Sequence, residues 1–169
     1  EAELPTQEFP RAFELIQELR GVKKRGFFTR PEFLEMCEWK SARPRRHFQA
    51  NSDADIKRVS SQVFSTTDER QRIDVLDSLN GVGVPMGSAI LMLTDPDRYG
   101  VIDVRVWQVL FAYGEVKSNP SGRNLSANNW LAYLKIIRAY SKNFNVTPRD
   151  IDRTLFLHGR PTPSGGHHY

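Results

Sequence analysis

The chain has a single cysteine, Cys37, in 169 residues, and that scarcity excludes several chemistries. No internal disulfide can form, and neither a four-cysteine zinc site nor an iron-sulfur cluster can be assembled. The four histidines, His47, His158, His167 and His168, show no metal-ligand spacing with cysteines or carboxylates, so no metal and no cofactor is expected. No apolar run approaches the roughly 18 residues needed to span a bilayer, and residues 1–10 lack the basic-then-apolar layout of a secretory signal. A soluble, intracellular (cytoplasmic) monomer without membrane contact is the expectation. A nucleophile elbow, a phosphate-binding loop with its lysine, a His-Glu-x-x-His helix and internal repeats are also missing.

Charge is present but unevenly spread. The formal net charge is +4. Between Arg20 and His47 nine basic residues face three acidic ones, so this stretch carries an excess of six positive charges and the remainder is net acidic. A localised positive field suits a phosphate-bearing partner, because each neutralised phosphate releases condensed counterions. A solvated basic loop is the other reading of the same residues.

Helix punctuation recurs along the chain and strand-like alternation is nearly absent, which predicts an all-α, compact multi-helix domain over residues 1–158. A first helix starts near Pro10, with Phe13, Leu15, Ile16 and Leu19 on its apolar face, and Gly21 with the following basic run ends it. Thr29-Arg30-Pro31-Glu32 has the form of a capping box opening a helix to about Trp39. Lys40 to His47, containing Pro44, reads as a loop. Ser52 caps the next helix, and Thr66-Thr67-Asp68-Glu69 reads as a second capping box before Ile73, Leu76 and Leu79. Pro85 sits in the first turn of a helix that Asp95-Pro96 ends. Asp103, Ser126 and Thr147 stand at three later N-caps. The tail 159–169, rich in glycine, proline and histidine, is expected to be disordered.

Gly81-Val82-Gly83 joins two of these helices. Glycines flanking one apolar residue let the backbone approach a phosphate, and the positive end of the second helix adds attraction. Val82 would fill the space between the helices. A plain turn has the same triplet, so the wider pattern matters more. From Leu79 the chain reads LNGVGVPMGSAILMLTDPDRYGVIDVRVW. This segment of about 30 residues resembles the helix-hairpin-helix base-excision DNA glycosylases, in particular the 8-oxoguanine DNA glycosylase branch. Small residues follow the hairpin, here Gly87, Ser88 and Ala89, and an aspartate precedes an apolar-aromatic helix, here Asp103-Val104-Arg105-Val106-Trp107.

The resemblance implies a duplex DNA partner carrying a damaged or modified base, held by main-chain groups at Gly81, Val82, Gly83 and Val84 and by Arg105. It also implies that Asp103 is the catalytic carboxylate. Breaking an N-glycosidic bond builds positive charge on the sugar, and a nearby carboxylate stabilises that charge or activates water. Asp103 reads equally as a helix cap, and the two roles can coexist. Lyase-active members carry a lysine shortly after the hairpin, where this chain has Pro85. A water-using, monofunctional glycosylase is therefore the expectation, with a non-catalytic DNA-binding module of the same fold as the alternative. Lys40 is the amine that could enter from elsewhere.

Trp39-Lys40-Ser41-Ala42-Arg43-Pro44-Arg45-Arg46-His47-Phe48 places aromatics at both ends of a run with four cations and no acid. An enzyme that rotates a base out of the stack needs flat side chains around it and cations on the distorted backbone. Lys40, Arg43, Arg45 and Arg46 are the candidate phosphate contacts; Trp39, Phe48 and Trp107 are the candidate walls of a base pocket. Tryptophans in a small helical domain are more often core residues.

Overall fold

Short polar side chains fix where most of the helices begin. In a computed structural model, which describes residues 7–159, ten helices follow one another: α1 Pro10–Glu18, α2 Val22–Arg25, α3 Arg30–Lys40, α4 Arg45–Phe48, α5 Asp53–Ser65, α6 Glu69–Asp77, α7 Val84–Thr94, α8 Val104–Ala112, α9 Ala127–Phe144 and α10 Pro148–His158. No strand occurs among the described residues. Six of the helices start on a side chain that accepts from an amide of the first turn: Thr29, Ser52, Asp68, Asp103, Ser126 and Thr147. Such caps satisfy amides that have no partner within the helix. The boxes at Thr29/Glu32, Ser126/Asn129 and Thr147/Asp150 are reciprocal.

α7 is the axis of the fold. Its residues are apolar all round, and nine of its eleven are buried, as expected of a helix enclosed on every side. It packs against α1, α3, α6 and α9, while α10 closes the other end against α8 and α9. Gly87 lets α6 lie close to α7, since a Cβ there would sit 3.0 Å from Ile73 Cδ1 and 3.5 Å from Leu76 Cβ. The expected all-α, compact multi-helix domain is thus what the chain forms.

Several local expectations need correction. Lys40 to His47 is not simply a loop, because α4 forms a turn of helix within it, and α2 follows Gly21 where only a stop is expected. The N-cap of α6 is Asp68, which accepts from Arg70 N at 3.0 Å, and no reciprocal box forms there; Thr66 instead accepts from Asp68 N. Phe13, placed on the apolar face of α1, is 55% exposed, and Ala12 takes the inward position beside Leu15. The tail 160–169, with His167 and His168, lies outside the described residues.

Candidate nucleic-acid interface and cavity

The hairpin between α6 and α7 turns on Gly81, whose φ is +77°. No other residue adopts this conformation as readily. A Cβ at Gly81 would also lie 2.7 Å from Phe48 N and 3.1 Å from His47 Cβ, so the turn is pressed against α4. Val82 and Val84 are buried and Val82 N donates to Leu79 O, so the side chains of the hairpin belong to the core, as expected for Val82. What faces outward is main chain around Gly83, which is exposed and extended at φ −93°. Unlike the six capped helices, α7 receives no side-chain cap.

The basic run meets this hairpin through a residue that pattern reading misses. Asn51, buried at the end of α4, donates from Nδ2 to Phe48 O and Asn80 O and accepts at Oδ1 from Asn80 N, each at 2.9 Å. Arg30 braces the same turn by donating to Gln49 O at 2.7 Å and Asn51 O at 3.1 Å. Arg43, Arg46 and His47 are exposed on this unit. Arg45 is exposed too, but its guanidinium is paired with Glu38, with one bond of 2.7 Å.

A cavity of about 300 Å³ opens beside the start of α8 and is lined by Phe9, Trp39, Lys40, Asp103, Asp152 and Phe156, among others. Trp39 and Lys40 are therefore brought together with Asp103, which is distant from them in sequence. Phe48 and Trp107 are not: they are 0% and 1% exposed, locked in the core, and neither lines this cavity. Trp107 spends its indole N–H on Asn119 O at 2.8 Å. Both must be withdrawn as pocket walls; Phe9 and Phe156 are the aromatics that stand beside Trp39. Arg105 lies over the Phe156 ring, 5.5 Å from its centroid, on the margin of this cavity and not at the hairpin.

Asp103 accepts from Val106 N at 2.8 Å through Oδ1, so it caps α8 while lining the cavity. The extended residues before it are clamped from three helices. Val101 N donates to Asp152 Oδ2 of α10 at 2.7 Å, Tyr133 of α9 donates its hydroxyl to Val101 O at 2.9 Å, and Ile102 N donates to Ser88 Oγ of α7 at 3.0 Å. Asp152 Oδ2 also accepts from Arg149 Nη1 at 2.7 Å, and Arg149 grips Glu8 with bonds of 2.8 and 3.0 Å. Burial pushes the Asp152 carboxyl up to about 6 against the pull of Arg149, and Asp103 adds to the rise. Burial, with Asp152 beside it, holds the Tyr133 hydroxyl well above its ordinary value.

A second depression, of about 550 Å³, runs from Gly83, Val84 and Pro85 to Val104 and Leu125. The hairpin and the cavity therefore flank the first residue of α8. Against family models, curated proteins and solved structures, the chain matches none. Among the described residues no group of histidine, cysteine, aspartate and glutamate has a metal-binding arrangement, and no helix is long and apolar enough to cross a membrane.

Proposed function

We propose that the protein is a DNA glycosylase of the helix-hairpin-helix type that hydrolyses the N-glycosidic bond of a damaged or modified base in duplex DNA. The observation that carries this reading is Asp103 lining one cavity with Trp39 and Lys40, one residue away from the groove that leads to the hairpin. The cavity sits at the small end of ligand sites, which run from about 300 to 1,000 Å³, and suits a single base turned out of the helix.

In this reading the exposed main chain at Gly83 and the uncapped first turn of α7 receive a phosphate, and Arg43, Arg46 and His47 hold the neighbouring backbone. The flipped base enters beside Trp39. As the C1′–N bond breaks, its electron pair leaves with the base, and the carboxylate of Asp103 stabilises the positive sugar. Water supplies the new C1′–O bond and gives up its proton, first to Asp103 and then to solvent. The departing base takes a proton from the medium.

A specific observation favours a second reading of the same step. Lys40 lines the cavity with Asp103, so its amine can replace water at C1′ even though Pro85 stands where lyase-active relatives carry lysine. Incubation of the protein with duplexes bearing oxidised, alkylated and deaminated bases tests both. An abasic product that Asp103→Asn abolishes supports the hydrolase, and a borohydride-trapped adduct lost in Lys40→Ala supports the amine. If no lesion yields an abasic site while duplex binding falls steeply with salt, the protein is a non-catalytic DNA-binding module.

A further inference from the structure

Of the three clamps on the segment before Asp103, two are neutral hydroxyls and one is a buried acid. Burying a carboxylate is costly unless it is well paired, as Asp152 is with Arg149. Asp152 is 2% exposed, yet it also lines the cavity that holds Asp103. A hydroxyl or an amide would suffice to join α10 to the chain at Val101, as Tyr133 and Ser88 do from α9 and α7. The segment is tight against both helices: a Cβ on Gly100 would lie 2.7 Å from Tyr133 Oη and 2.8 Å from Asp152 Cβ. It therefore has one seat, and the bond from Val101 N to Asp152 fixes it.

We propose that Asp152 is the positioning residue of the site: by accepting from Val101 N–H it fixes residues 101–103 and aims the Asp103 carboxylate into the cavity. The inference rests on the reading of Asp103 as the reacting carboxylate. The charged and titratable groups that face this point are Lys40 from α3, Arg149 from α10, Tyr133 from α9, Asp103 itself, and Glu8 through Arg149. Protonation of Asp152 as pH falls through about 6 removes the charge that holds both Arg149 and Val101 N–H, so the seat loosens and turnover falls.

The test combines amide exchange with kinetics. Val106 N–H is bonded to Asp103 Oδ1, so its protection reports the placement of Asp103 directly. In Asp152→Ala the amides of Val101 and Val106 should both exchange faster, and Asp152→Asn, which keeps an acceptor without the charge and so mimics the protonated acid, should give intermediate rates that do not change with pH. With a substrate duplex, Asp152→Ala should lower kcat on the order of 10–100-fold with KM unchanged. Asp152→Asn should hold kcat near the low level that wild type reaches below pH 6, with that acid limb removed. If Asp152→Ala does not fold, the Asp152→Asn profile decides alone, and an acid limb identical to wild type overturns the proposal. An unchanged Val106 amide in folded Asp152→Ala overturns it as well. If wild type turns over no lesion while Val101 and Val106 respond as stated, the glycosylase reading has failed and only the placement of Asp103 by Asp152 stands.

Discussion

The carboxamide of Asn51 closes on both main-chain groups of Asn80, one bond in each direction at 2.9 Å. The same amide nitrogen also donates to Phe48 O, the last residue of α4. The basic turn and the hairpin are thereby one rigid unit, although 29 residues separate Asn51 from Asn80. A phosphate seated on the hairpin, as proposed, would consequently meet Arg46 and His47 at a fixed offset.

Asn51→Ala would leave Asn80 N–H, Asn80 O and Phe48 O without that partner. The bond to Phe48 O is buried and those to Asn80 are partly so, and leaving a buried partner unpaired costs about 1–3 kcal/mol. The expected result is a loss of about 2 kcal/mol or more in urea unfolding, with weakened duplex binding in the folded fraction. A substitution that leaves stability unchanged would show that the hairpin is held to α4 by other means.

The two hairpin glycines should answer substitution differently. Gly81→Ala forces a side chain onto φ +77° and against the backbone of Phe48, so it should destabilise the fold by more than about 1 kcal/mol. At Gly83 the nearest atom to a new Cβ is Pro85 Cδ at 3.9 Å, and φ is ordinary, so Gly83→Ala should leave stability within about 0.5 kcal/mol. If Gly83 is where the backbone approaches DNA, the same substitution should weaken duplex binding severalfold. Thermal melts and a duplex titration of both variants separate the two roles.

The parts legible in the sequence are those whose partners are near in the chain. Thr29, Ser52, Asp103, Ser126 and Thr147 each bond an amide three residues on, so the residue types alone announce the cap. Asp103 was legible for that reason and because an aspartate before an apolar-aromatic helix has a recognisable pattern. Asn51, Ser88 and Asp152 were not, since their partners lie 29, 14 and 51 residues away and only packing brings them together. Phe48 and Trp107 misled because an aromatic beside cations looks the same in sequence whether its ring faces a cavity or the core. α2 and α4, one turn each with no side-chain cap, leave no signal at all.

Asp150 gives stability a defined response to acid. Burial raises its carboxyl, but the Thr147 amide and hydroxyl and the Arg153 guanidinium outweigh that, leaving it below the ordinary 3.8. A depressed carboxyl means that the unfolded chain binds the proton more readily, so the contribution is complete above about pH 4 and is lost as pH falls through the folded value. Asp150→Asn should keep the box, as Asn129 does in α9, and remove only the charge. The variant should be less stable by about 0.3–1 kcal/mol at pH 7, with the gap narrowing as pH falls below the ordinary aspartate value of 3.8 and closing below the folded one. Urea unfolding over a series of pH values from 7 downward checks this.

Cys37 should be unreactive in the folded protein. It is fully buried, and burial, with Glu38 adjacent, pushes its thiol up to about 12, so almost no thiolate exists at neutral pH. Iodoacetamide should label it only at the rate of unfolding. Rapid labelling under native conditions would place α3 differently from the packing described.

The arginines of the basic turn should contribute unequally to DNA binding, and the reason is Glu38. Arg45 is committed to that carboxylate, and it must give up this exposed ion pair before it grips a phosphate. Glu38, left behind, would then repel the same phosphate. Arg43 and Arg46 are exposed on the same unit as the hairpin and carry no such cost among the described residues. Replacing either with glutamine should weaken duplex binding about equally for all sequences and reduce the slope of log affinity against log salt by about 1. Arg45→Gln should change the slope by less than half as much, because it removes a charge that Glu38 already offsets. Titrations of the three variants at several salt concentrations decide the matter. Equal slopes for Arg45→Gln and Arg46→Gln would mean that the Glu38 pair opens freely and that the turn acts as an undivided patch of charge.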